Sequence, residues 1–225
     1  MIVVKRGKEP NSLLKFRKEN PDADYELDMP TDVLKDIKKQ LWEEQRCLCA
    51  YCMKKIADPR VVRIEHCRPR HPQDEQEHDK KATLDFKWML GVCYGNSLTR
   101  GVKQEEKTCD AHKENTELTV NPFDELSVRK IKYKTDGSIY SDDVEINKDV
   151  TETLNLNCQA VSLPQTRRNV LMAEKNRIMR KCKGKSQEAF IRELERTYES
   201  LVQERNLTPY CGIIISWLES KLKIS

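Results

Sequence analysis

Cysteine is the residue type that most limits what this chain can become. Nine cysteines among 225 residues cannot all pair with one another, and their spacing divides them into two sets. Cys47, Cys49, Cys52, Cys67, Cys93 and Cys109 lie in the middle of the chain. The four histidines, His66, His71, His78 and His112, fall in or just beyond the same stretch. Cys158, Cys182 and Cys211 are scattered through a helix-like tail, where packed, inert thiols are expected. Cys49-Ala-Tyr-Cys52 is a CxxC turn, which can aim two thiolates at one Zn²⁺ through bonds of about 2.3 Å. Cys93 and Cys109 lie downstream, so the middle of the chain looks like a metal site. A redox dithiol would need only the CxxC and would leave the other cysteines unexplained. Cys47 is an alternative to Cys49, and His112 to Cys93, because Cys109-x-x-His112 also has knuckle spacing.

A metal-tied middle explains an apolar share of only 37% beside a charged share of 35%. The net charge of +4 says little about partners, but its distribution is uneven. Arg60, Arg63, Arg68 and Arg70 crowd one stretch, followed at once by the acidic run from Asp74 to Asp79. Arg63, Arg68 and Arg70 are candidate phosphate contacts, since positive charge beside a site matters more to a polyanion than the total. His78 reads as surface within the acidic loop, and His71 as either a phosphate contact or an exposed loop residue. No apolar run approaches the ~20 residues of a membrane span. The opening Met1-Ile2-Val3-Val4-Lys5-Arg6 has no signal-peptide pattern. These features read as a soluble, cytoplasmic chain.

The patterning predicts an α+β protein. A short β-branched run and a basic arm, Lys15 to Lys18, precede a helix capped by Thr31 with Leu34, Ile37 and Leu41 on one face. Regular patterning is weak from Cys47 to about Pro122, as where metal ligation substitutes for a core. Residues 128–141 predict a hairpin around Asp136-Gly137. Three helices follow. One runs from Gln165 to Lys183 and stops at Gly184; a second carries Phe190, Leu194, Tyr198 and Leu201; a third opens at Thr208-Pro209. The third presents Tyr210, Ile213, Ile214, Trp217 and Leu218, a face suited to the core or to docking a partner. The domain reading is an N-terminal arm and helix over 1–45, a zinc-stabilised core over 46–123, and a hairpin plus helical region over 124–225 for partner docking. Trp42, Trp88 and Trp217 read as core or interface residues.

Between the cysteine pairs lies Ile64-Glu65-His66-Cys67-Arg68-Pro69, and the last pair member opens Cys109-Asp110-Ala111-His112-Lys113. If Glu65, His66 and Cys67 share a strand, Cys67 faces away from His66 and is packed rather than ligated. A CxxC, an acid-His-x-x-Pro element and two further cysteines ahead of a lysine resemble the core of HNH endonucleases. Lys5 to Leu13, Asp85 to Asn96 and Leu118 to Asp124 look like the PtuB family, the HNH nuclease subunits of the Septu anti-phage system that also occur beside some retrons.

The resemblance implies a ββα-metal core flanked by helices, with structural zinc on Cys49, Cys52, Cys93 and Cys109. It implies His66 as the base that takes a proton from water, a role suited to a side chain titrating near neutrality. It places a catalytic Mg²⁺ or Mn²⁺ at Glu65 and Asp110, where a hard cation can bridge the scissile phosphate and the leaving oxygen. His112 would share or replace the Asp110 role, and Lys113 would face the substrate. The family's middle Asn falls at Trp88, with Asn96 as a possible substitute. The implied activity is hydrolysis of nucleic acid, DNA first, gated by a PtuA-type ATPase partner. From other classes come a zinc-stabilised nucleic-acid-binding or scaffolding module without catalysis, and a thiol redox protein that would hold no zinc.

Overall fold

A computed structural model describes residues 1–70, 80–203 and 207–224. His71, His78 and the acidic run Asp74 to Asp79 lie outside the described residues.

Residues 1–10 carry no regular structure, and the basic arm that follows is a helix, α1 (Asn11–Glu19). It forms because Leu13 and Phe16, one turn apart, are buried on one side while Arg17 and Lys18 sit in its last turn, the favourable end for cations. In α2 (Thr31–Glu44), Val33, Ile37 and Leu41 recur every four residues and are buried. Thr31 is its first helical residue rather than its cap; Pro30 takes the cap position, and no side chain bonds there. The two helices share a core with Leu84, Phe86 and Met89.

β1 (Arg63–His66), α3 (Lys80–Thr83) and β2 (Met89–Val92) follow, and the two strands pair antiparallel with Arg63 opposite Val92 and His66 opposite Met89. Alternation along β1 sends Arg63 and Glu65 to one face and Ile64 and His66 to the other. Gln45 fixes β2 to the end of α2: its amide accepts from Gly91 N at 2.7 Å and donates to Gly91 O and Leu48 O. The short α4 (Asp110–Lys113) starts directly after Cys109.

α5 (Glu125–Arg129) leads to the expected hairpin, β3 (Ile131–Tyr133) and β4 (Ile139–Ser141), turning at Gly137 with φ of 91°. α6 (Val144–Lys148) runs into a π-helical turn, Asp149–Thr153. α7 (Leu163–Cys182), α8 (Gln187–Gln203) and α9 (Cys211–Leu222) then pack against one another. α9 begins at Cys211, two residues beyond Pro209, because Tyr210 adopts a left-handed conformation and donates its N–H to Met53 O. Ile213, Ile214 and Leu218 are buried among α7, α8, Leu48 and Met53. Trp217 is half-buried under the Lys175 ammonium. The α9 face considered for docking is therefore internal: the other two helices and the knuckle's own Met53 cover it. Arg167 on α7 is buried and donates to Gly137 O, Leu156 O and Asn157 Oδ1, joining helix, hairpin and the 156–157 loop. Among the described residues, no helix is long and apolar enough to cross a membrane.

Candidate metal centre and active site

The CxxC turn folds as a tight knuckle. Cys49 N donates to Lys54 O, Met53 N to Cys49 O and Lys54 N to Cys52 Sγ at 3.4 Å, with Met53 at positive φ. Ala50 N donates to Gly91 O, which ties the knuckle to β2 one residue before the strand ends and two before Cys93. Cys109 is brought back by Gly95. Its φ of 54° and a Cβ position that would lie 1.9 Å from Thr108 O admit only glycine where Thr108 N donates to Gly95 O. Cys109 N is held in turn by Leu154 O.

The four Sγ atoms of Cys49, Cys52, Cys93 and Cys109 lie within 4.8 Å of one another. The 49–109, 52–93 and 93–109 separations are 3.9, 3.7 and 3.8 Å. A regular tetrahedron with bonds of about 2.3 Å has edges of about 3.8 Å, so the site has the size of a zinc tetrathiolate. The four cysteines can hold a metal ion such as zinc. Hydrogen bonds from Cys109, Cys49 and Cys52 hold the Cys93 thiol well below its ordinary value, whereas those same mutual bonds push Cys109 well above. One thiolate is favoured and the next resisted, and a cation relieves that conflict. Cys47 and His112 stand outside the cluster. The His112 Nδ1–H donates to Thr153 O at 3.0 Å. Cys67 is packed against the core rather than ligated.

The ladder from Cys109 into α4 puts Asp110 and Lys113 against the Arg63–Glu65 face of β1. Lys113 Nζ lies 2.9 Å from Glu65 Oε1, which also accepts from Tyr51 OH at 3.0 Å. Arg63 Nε lies 2.5 Å from Asp110 Oδ2. Burial, then a hydrogen bond with the Asp110 carboxyl, pushes Glu65 up to about 8 despite the Lys113 ammonium. Two carboxyl groups meet there, a pair of oxygen donors of the kind that suits a hard divalent cation. Among the described residues, though, only the four cysteines gather three or more converging ligand groups.

His66 is buried on the opposite face of β1, edge-on to the Tyr25 ring at 4.5 Å, with Nε2 2.9 Å from Thr83 O. A carbonyl can only accept, so the proton sits on Nε2 and the Nδ1 lone pair remains. Burial, then the Arg70 charge, lowers the imidazole to about 4, and the ring is neutral at pH 7.

The three arginines expected at phosphate have partners within the chain. Arg63 pairs with Asp110, Arg68 stacks over Trp88 at 4.0 Å, and Arg70 pairs with Glu26 beside Tyr25. Lys113, expected at the substrate, is instead nearly solvent-free beneath Glu65. Asn96 braces the 94–108 loop through Glu106 O and Thr99. Tyr51, Tyr25 and Thr83 escaped the sequence reading. Only Tyr51 had a signal available: as an inner residue of the CxxC, it is carried wherever the knuckle goes. Set against known proteins, the chain matches no family model and no curated protein.

Proposed function

We propose that the chain is a metal-dependent HNH-type endonuclease that hydrolyses phosphodiester bonds of nucleic acid, DNA foremost. The observation that carries this reading is the buried Glu65–Asp110 carboxyl pair on one face of β1, with a neutral His66 next in the chain on the other. The hairpin β1–β2 followed by the zinc-braced α4 supports a ββα-metal core. Glu65 and Asp110 would hold Mg²⁺ or Mn²⁺, which supplies charge neutralisation at the phosphate and at the leaving oxygen. His66 takes the proton of the attacking water on Nδ1, its Nε2–H held by Thr83 O. Lys113 and Tyr51 orient Glu65, and Arg63 orients Asp110. Zinc held by Cys49, Cys52, Cys93 and Cys109 would fix Cys109 and so the start of α4.

The PtuB resemblance extends the proposal to an anti-phage effector gated by a PtuA-type ATPase. Since the Ile213, Ile214 and Trp217 face is taken up by the fold, docking falls to another surface. The reading is tested by incubating supercoiled plasmid with Mg²⁺ or Mn²⁺ and the chain, alone and with the neighbouring ATPase, beside Glu65→Ala. Metal-dependent nicking that Glu65→Ala abolishes is the expected result.

A second reading, a zinc-stabilised nucleic-acid-binding or scaffolding module, draws on two observations. Glu65 and Asp110 are each paired internally, and β1 separates the Glu65 carboxyl from the His66 ring. It predicts strand binding with no cleavage under any metal.

A further inference from the structure

A cavity of about 450 Å³ opens beside the knuckle, with Cys52, Cys93, Thr108, Leu163 and Tyr210 in its lining. That size falls within the roughly 300–1,000 Å³ of small-ligand sites. Its charged lining has one sign. Lys54 and Lys55 are exposed and have no ion pair among the described residues, and no Asp or Glu lines the cavity. The rest mixes the polar Asn96, Thr99 and Thr108 with aromatic and apolar groups, among them Tyr94, Tyr210, and Leu98 and Val61, which stand 76% and 47% exposed. Exposed apolar side chains beside unpaired cations mark a surface that gains by covering.

The wall is already held in place. Thr99 Oγ1 donates to Asn96 Oδ1 at 2.6 Å, Asn96 Nδ2 donates to Glu106 O, and Thr108 N donates to Gly95 O. A cavity lined by two tyrosines and two unpaired lysines fits a flat ring that carries an anion. Base–aromatic stacking together with phosphate–lysine contact is how single strands are held. The cavity also adjoins the carboxyl pair along the chain: Val61 lies two residues before Arg63, and Thr108 two before Asp110.

We propose that this cavity is a subsite for one unpaired nucleotide of a bound strand, its base against Tyr94 and Tyr210 and its phosphate at Lys54 and Lys55. The assignment of a strand rests on the nuclease reading; the binding itself does not.

The test is fluorescence anisotropy with a labelled ten-nucleotide dT strand, its ribonucleotide counterpart and free dTMP as separate arms, in buffer without Mg²⁺ or Mn²⁺. The variants are K54E/K55E and, independently, Leu98→Glu, all at exposed positions. Zinc content and circular dichroism confirm the fold. Each should weaken strand binding about tenfold, while K183E/K185E, on exposed residues beyond α7, should not. Tighter binding of either strand than of free dTMP supports the subsite and names the strand. Equal affinity for dTMP overturns the strand as its source. Absence of strand binding by the unsubstituted chain, or binding indifferent to Lys54, Lys55 and Leu98, overturns the subsite. Cleavage scored separately distinguishes the two claims: cutting with lysine-independent binding removes the subsite alone, and lysine-dependent binding without cutting removes the nuclease reading alone.

Discussion

The Lys113 ammonium lies 2.9 Å from Glu65 Oε1, with only 1% and 6% of the two side chains exposed. Glu65 is raised to about 8, so the two form a full ion pair only at higher pH, where removing one partner strands the other. Lys113→Ala should therefore destabilise the fold by about 3–5 kcal/mol in urea unfolding above pH 8, and by less at neutral pH. Pairing Lys113→Met with Glu65→Gln should recover most of that loss. Full additivity of the two changes would show that the groups do not interact.

The Glu65 carboxyl also dictates a pH dependence opposite to that of an ordinary acid. Its folded value, raised to about 8 by burial and the Asp110 hydrogen bond, means the native state keeps a proton that the unfolded chain releases near 4.5. Its contribution to stability is complete below pH 4.5 and is lost as pH rises through 8. Urea unfolding across pH 5–8 should show this decline, Glu65→Gln should flatten it, and added Mn²⁺ should offset it at the upper end.

His66 gives the reverse slope over a different window. Burial and Arg70 depress it to about 4, so the unfolded chain binds the proton first. Its contribution is complete above pH 6.5 and is lost as pH falls toward 4, a change on the order of 3 kcal/mol. Replacing His66 with Asn should remove that component of the acid limb. The same depression keeps the ring neutral, so cleavage should not fall with His66 protonation between pH 8 and 5.5.

Removing metal tests the knuckle. One zinc per chain should be found. Cys→Ser at 49, 52, 93 or 109 should each abolish it and lower the melting temperature, because metal binding here is folding free energy. Cys47→Ser and Cys67→Ser should keep it. A chelator should reproduce the first group. Zinc retained in all four variants would contradict the tetrathiolate.

What could be read from the sequence follows the range of the forces involved. Cys49 and Cys52 were legible because a CxxC turn is a local metal-binding pattern, whereas Cys93 and Cys109 came from the resemblance. The Asp136-Gly137 hairpin and α7 were legible from turn chemistry and from Gly184. α1 was hidden because only three of its nine residues are apolar, and only Leu13 and Phe16 are buried. The start of α9 was misplaced because Tyr210 answers to Met53 O, more than 150 residues away in sequence. The same holds for the site. The Glu65-His66 motif was visible, but not the opposite faces of its two side chains, nor Tyr25 and Thr83 around the ring. Lys113 looked like a substrate contact because nothing local shows that β1 lies above it.

The most direct measurement compares cleavage of one DNA by the zinc-loaded chain and by zinc-loaded His66→Ala, each with Mn²⁺, alone and with the proposed ATPase partner. Loss of a general base should slow cleavage by about 10²–10⁴-fold, with zinc, fold and strand binding unchanged. Equal cleavage by the two proteins, or none by the unsubstituted complex, would contradict the account.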